Sequence, residues 1–270
     1  LGAQGRLEVL EDLPDFARAG LFAQPAAHEV WVRLSNGGMD PVSDRRPDIR
    51  GFAFAVQGVS VHIGSQLTSI EPFMKAFALV RDFVLTLKAK GFTIKTVDLG
   101  GGLGIPYGKD EPPLPDSYAE TARREMHGLG CQLIFEPGRV LVGNAGVLVS
   151  RVIYVKKSEN RNFLIVDAGM NDLIRPTLYS AYHEIVPVRE PRQAKLQPMD
   201  VVGPVCETGD IFAEGRMLPP VAAGDLVAFR SAGAYSAVMS NTYNARLLVP
   251  EVLVNGAEHA VIRERQTYDD

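Results

Sequence analysis

The chain has 270 residues, 46% of them hydrophobic, enough to bury one large core or two ordinary ones, which excludes disorder as the default state. A net charge of −4 without long like-charge blocks leaves no basic stripe for nucleic acid, and no apolar run reaches membrane-spanning length. Small dissolved ligands are the better match. Cys131 and Cys206 offer neither a disulfide framework nor metal-ligand spacing, so we expect a reducing, cytoplasmic setting and no metal. No signal peptide is visible, and the chain opens on Leu1 rather than methionine, so a natural start and any address it carries are expected upstream.

In chain order, residues 13–22 read as a short helix with a glycine near its end, and Glu29-Val-Trp-Val-Arg-Leu34 alternates as a strand. A polar turn through Asn36, Gly37, Gly38, Asp40 and Pro41 leads by Arg45-Arg-Pro-Asp-Ile-Arg50 into a second strand, 51–56. From His62 onward the rhythm becomes strand, helix, strand. Ile70 to Lys90 carries Phe73, Phe77, Val80, Val84 and Leu87 three and four apart, an amphipathic helix closed by Gly91. Thr93 to Leu99 is the next strand, 105–115 a Pro- and Gly-bearing loop, 117–128 a further helix and 131–135 a third strand. Such alternation argues for parallel pairing with crossover helices. Cys131 opens an apolar run, so inert burial is expected for it. After Arg139 the pattern turns to short strands at 147–155, 162–167, 199–202, 226–229 and 251–255, a mostly β domain of barrel or sandwich type.

The organising stretch is three βα units, Val59-Ser-Val-His-Ile-Gly-Ser-Gln66, Thr96-Val-Asp-Leu-Gly-Gly-Gly-Leu-Gly104 and Gln132-Leu-Ile-Phe-Glu-Pro-Gly-Arg139. Each starts apolar or β-branched and breaks into small or charged residues. Glycine-rich backbone exposes amides to an anion without intervening side chains; the same glycines equally serve a tight strand-to-helix turn.

Six motifs in order carry a resemblance over residues 59–270: His62-Ile-Gly-Ser-Gln66, Asp98-Leu-Gly-Gly-Gly-Leu-Gly104, Glu136-Pro-Gly-Arg139, Arg175-Pro-Thr-Leu-Tyr179, Cys206-Glu-Thr-Gly-Asp210 and Gly233-Ala-Tyr235. They resemble diaminopimelate decarboxylase, a pyridoxal-phosphate enzyme of the alanine-racemase-like barrel group. The resemblance implies an α/β plus all-β fold: the last three βα units of a TIM-type barrel over 58–142, then a β-barrel or sandwich domain over 143–270. It implies decarboxylation of meso-2,6-diaminopimelate to L-lysine, in lysine biosynthesis, by a homodimer with shared active sites.

The same resemblance assigns residues. Glu136 faces the pyridine nitrogen and, as a carboxylate, favours its protonated form. His62 lies against the ring and also stands among the catalytic residues; by itself a histidine in a strand equally serves as a hydrogen-bonded core residue. The phosphate falls to Ser65, the Gly100 to Gly102 backbone with Gly102 foremost, Gly138, Arg139 and Tyr235, with Pro137 in the same motif. Substrate binding falls to Arg139, Arg175, Tyr179, Glu207 and Tyr235, since guanidinium pairs bidentately with carboxylate. Cys206 matches the proton donor, which in this family reaches the site from the other subunit; a thiol titrates within reach of neutral pH. Thr208 stands where the family has serine.

One departure is serious. The family's tethering lysine sits in an Ala-Val-Lys-Ala-Asn-like context, and none of Lys75, Lys88, Lys90, Lys95, Lys109, Lys156, Lys157 and Lys195 has that setting. Weak cofactor binding and little or no turnover are the expectation, with a non-catalytic remnant that binds a phosphate ligand, or nothing, as the alternative. Residues 11–57 resemble instead a catalase-related haem protein, through Trp31-Val-Arg-Leu-Ser-Asn-Gly-Gly38 and Asp44-Arg-Arg-Pro-Asp-Ile-Arg-Gly-Phe-Ala53, without an assignable distal histidine or proximal tyrosine. A fusion, a recombined or truncated frame, and a chimera all fit this junction near Gly58. Three barrel strands alone expose sheet edges, so we expect them to be covered by the strands around Trp31 and Phe54 or by another chain, failing which the protein aggregates.

Overall fold

The computed structural model describes residues 57–189 and 194–269. The helix and strands expected within 1–56, and the haem-protein resemblance there, lie outside the described residues. Two compact units emerge: the described part of Leu1–Leu103 with Pro113–Pro137, and Gly104–Pro112 with the described part of Gly138–Asp270.

The first unit has three parallel strands, β1 (Gly58–Ser60), β2 (Thr96–Asp98) and β3 (Gln132–Ile134), in the order β1-β2-β3, with Val59 beside Val97 and Val97 beside Leu133. Helices α1 (Glu71–Ala89) and α2 (Pro115–Met126) make the crossovers. The apolar stripe of α1 is buried as its spacing predicts, from Phe73 to Leu87, and Gly91 ends it at φ +90°. Tyr118 of α2 meets Phe73 and Phe77 edge-on at 4.9 and 5.7 Å, which joins the helices through aromatic contacts. Burial raises the Tyr118 hydroxyl to about 12, helped by the negative charge of Asp98. The strands are shorter than the sequence predicts. His62 therefore lies beyond the end of β1 rather than inside a strand. Cys131 is half-buried, with Sγ 3.3 Å from the Ile94 carbonyl oxygen.

The second unit is built on a six-stranded mixed sheet. Its members are β4 (Leu148–Lys157), β5 (Asn162–Val166), β6 (Ile185–Pro187), β7 (Gln197–Val202), β8 (Ile211–Leu218) and β9 (Leu226–Phe229), ordered β6-β9-β4-β5-β7-β8. Only β5 and β7 pair in parallel. Strand β4 serves two partners in succession: Leu148–Arg151 pairs with β9, and from Val152 the strand pairs with β5 across a register shift. Val152, Leu164, Val166, Leu173, Phe212 and Phe229 lie in its core. A separate ribbon joins β10 (Glu251–Asn255) to β11 (Glu258–Arg263) through the two-residue turn Gly256-Ala257, where Gly256 at φ +61° supplies the left-handed backbone a tight hairpin needs. Sequence reading missed β6, β8 and β11. In β8 the cause is visible: Gly215, at φ +57°, interrupts the apolar alternation.

Candidate functional site

Two clusters, one in each unit, and one loop hold the motif residues. In the first, the loops after β1, β2 and β3 are laced by backbone hydrogen bonds, Leu67 N–H to the Gly102 carbonyl and Glu136 N–H to the Gly100 carbonyl, both 2.9 Å. The Gly100 amide donates to Asp98 Oδ1 at 2.9 Å. Gly100 and Gly102 take φ of +64° and +100°. A Cβ on Gly100, Gly101 or Gly102 would overlap the carbonyl oxygen of Val61, Glu136 or Gly64 respectively. Close approach of three loops thus accounts for the glycine run without a ligand.

Gly64 faces open space on its Cβ side, and His62, Ser65, Glu136 and Pro137 on the same set of loops are exposed. The donor set here, an imidazole, a hydroxyl, a carboxylate and unobstructed backbone, fits a phosphorylated pyridine: carboxylate for the ring nitrogen, hydroxyl and amides for the phosphate. A cavity of 460 Å³ lined by Lys88, Phe92, Ile94, Lys95 and Gly130 lies at the opposite, N-terminal strand ends and includes none of these residues.

In the second unit, helices α3 (Arg139–Val142) and α4 (Arg175–Tyr179) each begin with an arginine. Apart from the resemblance, Arg175 before Pro176 reads as an ordinary turn residue. It is instead the buried first residue of a helix, because proline in the first turn forfeits no helical hydrogen bond. The Arg175 guanidinium carbon lies 4.4 Å over the Tyr107 ring, and Nη1 is 2.8 Å from His183 Nε2. Arg139 donates to the Tyr107 hydroxyl and lies 4.7 Å over the ring of Tyr235, itself held at φ +62°. Gly138 again faces open space, and Tyr179 is exposed.

Arg175 is 7% exposed, and burial pushes its pKa below the ordinary arginine value while still leaving a cation. Among the described residues no carboxylate lies within ion-pair distance of it. Tyr107 and His183 escaped sequence reading. Tyr107 sat in a loop read only for its Pro and Gly, and His183 in a stretch without periodicity.

The third feature is the loop 203–210. Cys206 and Glu207 are exposed on it, while Asp210 is 3% exposed and accepts from the Met170 amide at 2.6 Å and the Val205 amide at 2.7 Å. Burial pushes the Asp210 carboxyl up, against the two amides that hold it down. Glu207 Oε1 accepts from the Gly209 amide at 3.2 Å, and Thr177 Oγ1 donates to the Gly209 carbonyl at 2.6 Å, pinning the loop to α4.

The sequence model of the family "Pyridoxal-dependent decarboxylase, C-terminal sheet domain" matches residues 22–233. The chain is 51% identical over 217 residues to diaminopimelate decarboxylase of Zymomonas mobilis, covering 80% of this chain and 51% of that protein. It is 50% identical over 215 residues to the Pseudomonas aeruginosa enzyme, with the same shares. Among solved structures, one from Aquifex aeolicus superposes with TM-score 0.77 at 44% identity, covering 80% of this chain and 53% of that one. Diaminopimelate decarboxylase from Helicobacter pylori, complexed with L-lysine, gives 0.74 at 38%, covering 79% and 52%. The chain spans about half the length of the curated relatives it matches. The haem resemblance of residues 11–57 gains no support, and the family match begins inside that segment. Matched across most of its length and half identical to named enzymes, the chain belongs to the pyridoxal-dependent decarboxylases, whose cofactor is pyridoxal phosphate.

Proposed function

We propose that this chain takes part in the decarboxylation of meso-2,6-diaminopimelate to L-lysine with pyridoxal phosphate. One observation carries the substrate reading: Arg175, a buried guanidinium on a tyrosine ring with no carboxylate paired to it among the described residues, is an electropositive site that suits a ligand carboxylate. When bound, pyridoxal phosphate supplies the electron sink for the bond that loses carbon dioxide.

The chain's own residues do the rest. Glu136 would keep the pyridine nitrogen protonated, His62 would pack against the ring, and Ser65, Gly102, Pro137, Gly138 and Tyr235 would serve the phosphate. Arg139, Arg175, Tyr179, Glu207 and Tyr235 orient the substrate. The exposed Cys206 thiol holds the proton that replaces the lost carboxylate, and the Asp210 contacts keep its loop in shape. We read residues 58–142 as three βα units of a TIM-type barrel, 143–270 as the C-terminal β domain, and 1–57 as a separate segment. The exposed apolar side chains of the β10–β11 ribbon, Leu253 at 59% and Ile262 at 61%, support a homodimer.

Calorimetry with pyridoxal phosphate tests the reading. Saturable binding is expected, abolished by Gly138→Asp, which adds charge where a Cβ meets nothing. No saturation in the parent chain refutes it. A second reading, ligand binding without turnover, is favoured by the eight lysines, none in the tethering context. Borohydride reduction and peptide mapping that locate the cofactor on one lysine would exclude it.

A further inference from the structure

His183 is 1% exposed, and nothing so far assigns it a role. Its ring is committed at both nitrogens. Nδ1 lies 2.9 Å from the carbonyl oxygen of Arg230, an atom that only accepts, so Nδ1 carries the proton. Nε2 lies 2.8 Å from Nη1 of Arg175, which only donates, so Nε2 is the bare, accepting nitrogen. A single neutral tautomer satisfies both contacts.

Close contacts frame this ring. Arg216 Nη1 donates to the His183 carbonyl at 2.7 Å, and its guanidinium lies 4.1 Å over the ring of the adjacent Tyr182. On Gly108 a Cβ would come within 3.1 Å of that same Tyr182 ring, so the glycine admits it. Tyr107 meets His183 edge-on at 5.3 Å while its ring carries Arg175. An arginine side chain is long and loses much rotamer freedom when fixed. A carboxylate partner would fix it and cancel its charge. A neutral imidazole fixes it and leaves the charge available.

We infer that His183 is a positioning residue, which as its neutral Nδ1–H tautomer aims the Arg175 guanidinium at a ligand carboxylate and leaves that positive charge uncompensated. The inference rests on the carboxylate reading of Arg175 and goes one layer behind it.

The test has two arms. Two-bond hydrogen–nitrogen correlation spectra of the nitrogen-labelled chain read the tautomer with no ligand present, and a proton on Nε2 overturns the assignment. Calorimetric titration with pimelate, a dicarboxylate of the substrate's length, follows in the parent, Arg175→Ala, His183→Ala and His183→Gln chains. We expect Arg175→Ala to abolish binding, His183→Ala to weaken it about tenfold, and His183→Gln, which restores a neutral acceptor, to recover most of the loss. Binding that depends on Arg175 and is unchanged in His183→Ala overturns the assignment. If the parent binds no pimelate while His183 shows a bare Nε2, the substrate reading fails and the tautomer supports the positioning contact alone.

Discussion

The contact between His183 and Arg175 sets a pH dependence whose sign and size follow from the structure. Burial, with the cationic Arg175, Arg139 and Arg216 nearby, pushes the His183 imidazole down from 6.5 to about 4, against the Arg230 carbonyl, which favours the protonated ring; Tyr107 also packs edge-on against it. Well above pH 6.5 the ring is neutral in folded and unfolded chains and contributes no pH dependence. Between 6.5 and about 4 the unfolded chain takes up a proton that the folded chain refuses, so stability falls as pH falls. Each pH unit costs about 1.4 kcal/mol, and the loss saturates near 3 kcal/mol once the folded ring also titrates, about half of a marginal domain's stability. Urea unfolding by circular dichroism at about pH 7.5 and about pH 4.5, in the parent and in His183→Gln, isolates this group from every other. The variant is expected to lose about 2–3 kcal/mol less than the parent on acidification. Equal losses in both would refute the claim that a buried neutral imidazole holds Arg175.

Two further perturbations probe the loops around the site. Gly233→Ala places a Cβ onto the Val142 carbonyl oxygen and 2.8 Å from the Gly146 amide, so two backbone segments must part; a loss of about 2–4 kcal/mol is expected from thermal or urea unfolding, and an unchanged midpoint would show that the close approach is not required. Asp210→Asn keeps the shape but offers only one good acceptor to the Met170 and Val205 amides; about 2–3 kcal/mol should be lost, with faster hydrogen exchange at whichever amide is left unpaired.

What the sequence disclosed follows from how local each determinant is. The α1 stripe is legible because Phe73 to Leu87 repeats with helical period and all of it faces one core. Leu164, Val166, Val227 and Phe229 sit in β5 and β9, where apolar runs bounded by turns gave the strands away. Strand β8 was illegible because Gly215 breaks the alternation locally, while pairing with β7 restores the strand tertiarily. Arg139, Arg175 and Tyr235 were marked by resemblance, and the structure gathers Arg139 with Tyr235 and both arginines with Tyr107. His183 carried no signal. Its role depends on a carbonyl 47 residues away, and a single histidine announces neither its tautomer nor its partner.

The glycines show why a motif match and a binding claim require different observations. Gly100, Gly101 and Gly102 look like an anion cradle, yet each Cβ position is already filled by a carbonyl oxygen of a neighbouring loop, so their substitution disrupts packing whether or not a phosphate binds. A loss of binding at Gly102 would therefore be ambiguous. Gly64 and Gly138 face open space, but Gly64 sits at φ +120°, where any side chain is strained. Of these five, only Gly138, at φ −88°, accepts a side chain without clash or strain, so at that position a lost ligand reports on the ligand and not on the fold.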